Sequence, residues 1–269
     1  MNQKKALTNY LLSRLALAPV MLWLISSMVF LMLRIAPGDP VDAILGNRAS
    51  MEAREALRAK LGLDLSLGSQ YLQFLNKLFH GDLGNSLNNQ EPVLKIISKA
   101  LPASIELGLT ALIISITLGV FIGFFGVAKP EGKTDLIGRI YGISTYAMPP
   151  FWAAMLVQFF FAVVLRWLPI GVRFPPNLLE PEGSGFLILD SISSGNWLAL
   201  KASLRHLLLP ATTLGVLLSG IFSRTLRLNL GEELGKNYIE AAKSRGLRKS
   251  HIIIKHALPN ALLPLLTIG

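Results

Sequence analysis

The sequence contains few side chains whose types and spacing could support catalysis. It has no cysteine, which excludes thiol chemistry, disulfide bonds and Cys-based zinc sites. His251 and His256 have no acid between them, unlike the two histidines of an H-E-x-x-H zinc enzyme. The other histidines, His80 and His206, lie in different regions, so no Ser–His–Asp grouping is indicated. An enzyme is therefore the disfavoured class, and we expect no metal site.

The polar segment YIEAAKSRGLRKSHIIIKHALPN, Tyr238 to Asn260, has the chemistry of a recognition element. Alanine and glutamate favour a helix up to Arg245, and Gly246 is the residue type found just past a helix end. A second helical stretch, RKSHIIIKHA, is closed by Leu258-Pro259. The pattern predicts a helix, a glycine turn and a second helix.

Three interpretations of this segment stay open on physical grounds. It could be a solvated connector whose basic residues orient the chain in a membrane. It could be an amphipathic pair lying on anionic lipid, although two alanines and a glutamate make a poor lipid-facing surface for the first helix. It could also be a docking element, because small side chains let another protein approach closely and pass motion to the membrane helices.

Polar side chains within the apolar stretches are candidates for a substrate path. They are Gln158, Ser115, Thr117, Thr212, Thr213 and Ser219. Hydrogen bonding between helices is the favoured alternative for each of them. Glu106 precedes an apolar stretch, so a helix-dipole role at an N-terminus is predicted for it. The spacing of Gly119, Gly123 and Gly126 predicts close helix packing.

These residues must be positioned by helices that span a membrane. The 269 residues are 52% hydrophobic and only 16% charged, against about a quarter charged in a soluble domain. A bilayer core needs roughly 20 apolar residues in a helix. Complete spans are predicted at 15–33, 107–128, 150–169 and 207–222, the last weakened by Pro210, and an incomplete one at 258–269. A signal peptide is the alternative for the first span, but that span exceeds the usual ~7–15 apolar residues and lacks a clear cleavage site.

The connecting regions complete the predicted domain organisation. They are a tail at 1–14, a polar region at 34–100, a short loop at 129–149, a loop rich in Pro, Gly and Ser at 168–205, and the loop with the docking candidate at 223–257. Within the polar region, SMEAREALRAKLGL predicts a helix capped by Ser50 and ended by Gly62. Residues 101–269 are predicted to be the transmembrane core, and we expect the chain to end inside its fifth span.

The distribution of Lys and Arg predicts the orientation, because short cytoplasmic segments are enriched in both. The net charge is +10, with Lys4, Lys5 and Arg14 in the tail and eight basic residues within 223–258. Both segments are therefore predicted to be cytoplasmic, with four spans between them and residues 34–100 outside. A nucleic-acid partner is disfavoured, because the basic charge lies beside membrane spans.

The docking candidate carries a spaced motif. Glu240-Ala241-Ala242 is followed by Gly246, six residues after the glutamate, and then by Leu258-Pro259. This spacing resembles the EAA signature of bacterial ABC importer permeases, in which E-A-A, three residues and G precede nine residues, an apolar residue, one more and L-P. His256 stands where the family usually has isoleucine, so the sequence departs from the pattern there.

Segments along nearly the whole chain resemble the first permease subunit of dipeptide, oligopeptide and nickel importers. They are RIAPGDP (34–40), LGLDLSLGSQYLQFL (61–75), GDLGNS (81–86), LPASIEL (101–107), PPFW (149–152), RWLPIG (166–171) and HLLLPATTL (206–214). The resemblance implies an all-α integral membrane fold, the type I ABC importer transmembrane helix bundle. About five of an expected six spans would be present.

The resemblance also implies a function and partners. The chain would be a multi-pass permease subunit in the bacterial inner membrane, forming half of a path for peptides, nickel or another small solute. Glu240, Ala241, Ala242, Gly246, Leu258 and Pro259 would dock a cytoplasmic ATPase. In that role the alanines are the contact, Gly246 is the turn and Glu240 is a charge anchor or helix-stabilising partner. The expected partners are a second permease subunit, two ATP-binding subunits, an extracytoplasmic binding protein and membrane lipid.

ATP is expected to be used by the partner subunits. The sequence has no G-x-x-x-x-G-K-[ST] phosphate loop, so no cofactor is expected on this chain itself. The alternative function is an ATPase-independent channel or secondary transporter, and the docking motif argues against it.

Overall fold

The computed structural model describes residues 3–35, 38–46, 49–86, 89–128 and 132–267. Residues 1–2, 36–37, 47–48, 87–88, 129–131 and 268–269 lie outside these ranges. They belong to the predicted tail 1–14, the polar region 34–100 with its RIAPGDP segment, the predicted loop 129–149 and the incomplete span 258–269. The described residues form helices and no β-strand, with one isolated bridge between Asn85 and Pro92. The predicted all-α class is confirmed. The chain divides into two compact units, Met1–Ser98 and Lys99–Gly269.

The first unit contains one long helix and three short ones. Helix α1 (Gln3–Ile35) is followed by α2 (Pro40–Leu45), α3 (Met51–Lys60) and α4 (Leu67–Phe79). The Ser50 hydroxyl caps α3 by accepting a hydrogen bond from the Ala53 N–H. Gly62 follows the helix in the left-handed conformation, with φ +68°. Both predicted boundaries of this helix are confirmed.

The second unit contains the two longest helices of the described chain. Helix α5 (Val93–Ala128), which begins just before the unit boundary, is followed by α6 (Lys133–Ala147), α7 (Pro150–Gln158) with its π-helical continuation (Phe159–Val164), α8 (Leu187–Ser193) and α9 (Trp197–Leu234). Next come α10 (Asn237–Ser244) and α11 (Lys249–His251), which runs through a π-helical segment (Ile252–Ala257) into α12 (Leu258–Leu262) and a 3-10 segment (Leu263–Thr267).

Within the described ranges, three helices are long and apolar enough to cross a membrane. They are Thr8–Ile35 of α1, Val93–Val127 of α5 and the whole of α9. The pair α6 and α7, bent by 101°, makes a fourth if it is counted as one broken span. The predicted spans 15–33, 107–128 and 207–222 lie inside the long helices. The predicted span 150–169 is helical only over Pro150–Val164, which is α7 with its continuation, and it reaches spanning length only together with α6.

The interpretation of residues 129–149 as a loop is wrong, because α6 occupies most of this segment. Charged residues in α6 lower the hydropathy, so the segment resembles a connector in sequence. Pro149 has an extended backbone, and Pro150 opens α7, where its missing N–H is not needed. The two prolines separate α6 from α7 and leave two short helices in place of one long apolar stretch.

Other predicted connectors are also partly helical. The loop 168–205 contains α8 and the first residues of α9, and the region 34–100 contains the start of α5. The loop 223–257 begins inside α9, which continues to Leu234. Pro210 does not interrupt α9, in keeping with the tolerance of membrane helices for proline.

Glycines bring α5 and α9 into close contact. A Cβ at Gly119 would lie 2.8 Å from the carbonyl oxygen of Ser219. One at Gly123 would lie 2.9 Å from the carbonyl oxygen of Ser223, whereas the nearest atom to Gly126 is at an ordinary 3.5 Å. The close packing predicted from this spacing is therefore confirmed for Gly119 and Gly123. Small residues allow helix backbones to approach in this way in membranes.

Candidate functional site

The helix, glycine turn and helix predicted from the Tyr238 to Asn260 segment are present. Helix α10 ends at Ser244, and the backbone turns at Gly246, which is exposed and has φ +75°. Helix α11 then begins at Lys249 and continues into α12. We call α10 through α12, residues 237–262, the docking element.

The inner face of the docking element shares one hydrophobic core with the end of α9. Ile239 is fully buried, and Ala242 retains 8% of its exposure. The core consists of Phe222, Leu226, Leu230, Ile239, Ala242, Ile252, Ile253, Ala257, Ala261 and Leu265. Because this core is continuous, a displacement of the docking element is resisted unless the end of α9 moves with it.

The outer face of the docking element carries most of the residues predicted to dock an ATPase. Glu240, Ala241, Gly246 and Pro259 are exposed, and Leu258 is half-buried. Ala242 instead faces the core, three residues after Ile239 on the same side of α10. Of the two alanines predicted to be the contact, only Ala241 therefore presents its side chain on the surface. None of the described residues forms an ion pair with Glu240.

Tyr238 joins three parts of this region. Its hydroxyl donates to Oε2 of Glu233 at 2.5 Å, near the end of α9. The Tyr238 hydroxyl oxygen accepts a hydrogen bond from Nδ2 of Asn260 at 3.3 Å, and it lies 3.4 Å from the His256 carbonyl oxygen. Burial and then the hydrogen bond to Glu233 raise the pKa of the Tyr238 hydroxyl. The tyrosine stays neutral and links α9, α10 and α12.

The exposed side of the second helix is basic. A groove of about 590 Å³ is lined by Arg248, Ser250, His251, Ile254, Lys255 and Pro259. The two histidine rings, His251 and His256, lie 5.7 Å apart across the π-helical segment. No cluster of three or more potential metal ligands occurs among the described residues. The charge of this face suits an acidic protein surface or anionic lipid.

A cavity of about 370 Å³ lies between α5, α7, α8 and α9. Its lining is mostly apolar, with a few convergent polar groups, as is usual for small-molecule sites. Those polar groups are Glu106, Gln158, Arg173, Ser203, His206 and Thr213. Two of the predicted substrate-path residues, Gln158 and Thr213, are therefore brought together here.

Glu106 has a role that differs from the predicted one. Helix α5 begins at Val93, so Glu106 lies well inside the helix and the helix-dipole interpretation is wrong. Its Oε2 accepts a hydrogen bond from Nη2 of Arg173 at 2.8 Å, and its Oε1 accepts one from the Ile188 N–H at 2.9 Å. Glu106 thus connects α5 to the loop before α8 and to the start of α8 itself.

A turn closed by Asp190 supports the same loop. Oδ1 of Asp190 accepts hydrogen bonds from the Ser184 N–H at 3.0 Å and from its hydroxyl at 2.8 Å, and Oδ2 accepts one from the Gly185 N–H at 2.9 Å. The Ser184 N–H, followed by the Ser184 hydroxyl and the Gly185 N–H, holds the pKa of this carboxyl below its ordinary value despite its burial. The ionised carboxylate orders residues 184–190, and the Gly185 carbonyl in turn accepts from Arg173.

The other predicted substrate-path residues do not line the cavity. Ser115 is fully buried and donates to the Leu112 carbonyl, and Thr117 and Thr212 donate to carbonyls of their own helices. The Ser219 hydroxyl lies 2.5 Å from the Tyr141 hydroxyl, so Ser219 bonds α9 to α6. The interhelical alternative is thus what the structure shows for Ser219.

An ion-paired carboxylate that the sequence analysis missed also joins α6 to α9. Asp135 accepts from Nη1 of Arg227 at 3.0 Å and from Nη2 of Arg139 at 2.7 Å. Asp135 and Arg139 are four residues apart, a spacing typical of ion pairs on a helix. This spacing is the signal that predicts α6 where hydropathy alone does not.

Two family models match the chain, and both describe membrane components of the same kind of transport system. Residues 96–268 match the family described as the inner membrane component of binding-protein-dependent transport systems, and residues 7–108 match the N-terminal family of such membrane components. The chain is 36% identical over 240 residues to a probable D,D-dipeptide transport system permease protein of Escherichia coli, covering 89% of this chain and 71% of that protein.

Two further relatives cover more of the chain. A dipeptide transport system permease protein of Alkalihalophilus pseudofirmus is 34% identical over 254 residues, 94% of this chain and 76% of the relative. A di/tripeptide transport system permease protein of Pseudomonas aeruginosa is 33% identical over 266 residues, 97% of this chain and 78% of the relative.

Proposed function

The chain belongs to the family of inner membrane components of binding-protein-dependent transport systems, and from this premise we propose that it is the permease subunit of an ATP-driven importer of short peptides that docks an ATPase through residues 237–262. The resemblance to dipeptide-type permeases is confirmed by the relatives. Peptide cargo is the proposal that their names favour. No catalytic role is proposed, since the family is a transport family.

The observation that carries the proposal is the construction of the docking element. Its inner face shares a core with the end of α9, while Glu240, Ala241 and Gly246 face outward. A helix pair that is exposed on one side and packed on the other side against a helix of spanning length is what a mechanical connection to a soluble partner requires. A solvated connector needs no shared core. A pair that lies on lipid needs an apolar face toward the bilayer, whereas Glu240 and Ala241 occupy the exposed face of the first helix.

The proposed mechanism follows from this connection. Two cytoplasmic ATP-binding subunits close on ATP, and the one bound to this chain displaces its docking element. Because the core is shared, α9 moves too, and its contacts with α5 and α6 pass the motion to the rest of the bundle. A second permease subunit completes the path, and an extracytoplasmic binding protein delivers the cargo. The N-terminus is then cytoplasmic, as predicted from the basic residues.

Reconstitution tests the function against an ATPase-independent channel or secondary transporter. The complete assembly, with its second permease subunit, ATP-binding subunits and binding protein, is placed in proteoliposomes, and uptake of a radiolabelled dipeptide is measured. We expect uptake only with ATP and binding protein together. Equal uptake with ATP or with a non-hydrolysable analogue would favour the channel, and uptake driven by a proton gradient alone would favour the secondary transporter.

Tyr238→Phe should separate docking from coupling. The substitution removes the hydroxyl that joins Glu233 to α12 but keeps the ring, so the outer face is unchanged. We expect ATPase co-purification to stay within about twofold of wild type, while peptide uptake per ATP hydrolysed falls about three- to tenfold. Tyr146→Phe, at an exposed tyrosine of α6, is the matched control. An unchanged ratio of uptake to hydrolysis would refute the coupling role of Tyr238.

A further inference from the structure

The cavity of about 370 Å³ lies far from the docking element along α9. Thr213 lines the cavity and Leu234 ends the helix, so about 30 Å of helix separates them at 1.5 Å per residue. This length matches the hydrocarbon thickness of a bilayer. If the docking element is cytoplasmic, as the proposed function requires, the cavity lies toward the outer face, where a binding protein releases its cargo.

Arg173 lines the cavity, and the hydrogen bonds that hold it there use only one of its three nitrogens. Its Nη2 donates to Oε2 of Glu106 and to the Gly185 carbonyl oxygen, both at 2.8 Å. Its Nε and Nη1 have no hydrogen-bond partner among the described residues, and its side chain is 34% exposed. An arginine fixed through one nitrogen, with further N–H groups directed elsewhere, is prepared to receive an anionic oxygen.

Glu106 is not available to bind a cation in the way that Arg173 is available to bind an anion. Each of its oxygens already accepts a hydrogen bond, one from Arg173 and one from Ile188, and only 10% of its side chain is exposed. Both carboxylate oxygens of Asp190 likewise already accept hydrogen bonds, from Ser184 and from Gly185. The accessible charge of the cavity is therefore the guanidinium.

The remaining polar groups of the cavity can hydrogen-bond to the amide and amino groups of a small peptide. The His206 Nδ1 lies 2.8 Å from the Ala202 carbonyl, which can only accept, so Nδ1 carries the proton. In the neutral ring Nε2 is then an acceptor. Gln158 supplies an amide that can both donate and accept, and apolar residues such as Leu107 and Leu207 line the space between.

We propose that this cavity binds the terminal carboxylate of a short peptide, with Arg173 as the binding residue and Glu106 as the residue that positions it. The inference rests on the proposed function and adds a recognition site within the permease itself. The volume falls in the range of small-molecule sites, about 300–1,000 Å³. Carboxylate recognition here adds a second selection to that made by the binding protein.

The test compares L-alanyl-L-alanine with its C-terminal amide as cargo for the complete assembly in proteoliposomes. The quantity measured is the ratio of the two kcat/KM values for uptake, in wild type and in variants. The preference of the binding protein is the same in every preparation, so it cancels when the ratios are compared. Arg205→Gln is the matched control, because Arg205 is an exposed neighbour that donates to the Trp167 carbonyl and does not line the cavity.

Arg173→Gln should lower the preference for the free carboxylate about tenfold, as loss of a charge-assisted hydrogen bond predicts. Because this change leaves Glu106 without its cation, the double variant Glu106→Gln/Arg173→Gln is measured as well. We expect the same loss in the double variant and no loss in Arg205→Gln. An unchanged ratio in the double variant overturns the site, even if Arg173→Gln alone fails to assemble.

The ATP dependence of wild-type uptake separates this inference from the proposed function. If wild-type uptake depends on ATP but the ratio is insensitive to both variants, the carboxylate site is wrong and the permease function stands. If wild-type uptake does not depend on ATP, the proposed function fails first, and the carboxylate site fails with it.

Discussion

Gly246→Val is expected to abolish co-purification of the ATPase while leaving membrane insertion intact. The backbone at Gly246 has φ +75°, a left-handed conformation that costs roughly 1–2 kcal/mol for a residue with a Cβ and more for a β-branched one. No atom lies within 4 Å of a Cβ built there, so the effect is one of backbone conformation and not of crowding. A changed turn redirects α11 relative to α10 and misplaces the outer face.

Two substitutions distinguish this effect from a general loss of stability. Gly246→Asn should keep most of the ATPase association, because asparagine tolerates the left-handed conformation. Gly231→Val, in the exposed part of α9 near the docking element, should have little effect, because a Cβ there meets open space in a helical backbone. The measurement is pull-down of the ATPase by the tagged permease in detergent, with at least about a tenfold loss expected for Gly246→Val. Undiminished pull-down of the ATPase by Gly246→Val would show that the docking assignment is wrong.

Gly119→Val is expected to have the largest effect on the stability of the helix bundle. Even the first added atom would lie 2.5 Å from the Cβ of Phe222 and 2.8 Å from the Ser219 carbonyl oxygen. The second of these is backbone, so α5 and α9 must separate to admit a side chain. Overpacking of this kind costs about 1–3 kcal/mol where only side chains must move, and we expect the upper end or more here. The apparent Tm in detergent should fall by at least about 5 °C.

Gly108→Val is the control for this stability prediction. Gly108 lies on the same helix, and a Cβ there has no atom within 4 Å. Thermal unfolding followed by the loss of the monodisperse chromatographic peak compares the two variants. A Tm for Gly119→Val within about 1 °C of that for Gly108→Val would contradict the close contact of α5 with α9.

Local features of the docking element and of α3 were predictable from the sequence. The cap at Ser50, the glycine turns at Gly62 and Gly246 and the long apolar helices depend on backbone preference and hydropathy, which act over a few residues. For the same reason, the helix pair predicted between Glu240 and Pro259 is present in the structure. Hydropathy does not predict helix α6, because its charged residues lower the mean hydropathy of the segment. The spacing of Asp135 and Arg139, four residues apart, does indicate a helix there.

Features that depend on residues distant in the chain were not predictable in this way. The sequence alone determined that the chain is an all-helical membrane protein with a helix–glycine–helix segment after the span predicted at 207–222, because those properties follow from local composition and spacing. Only the tertiary structure decided that Ala242 faces the core while Ala241 faces outward, since that depends on where α9 lies. It also decided that Glu106 meets Arg173 and Ile188, because an ion pair across 67 positions and a hydrogen bond to a backbone N–H across 82 positions arise from packing, which no local pattern encodes.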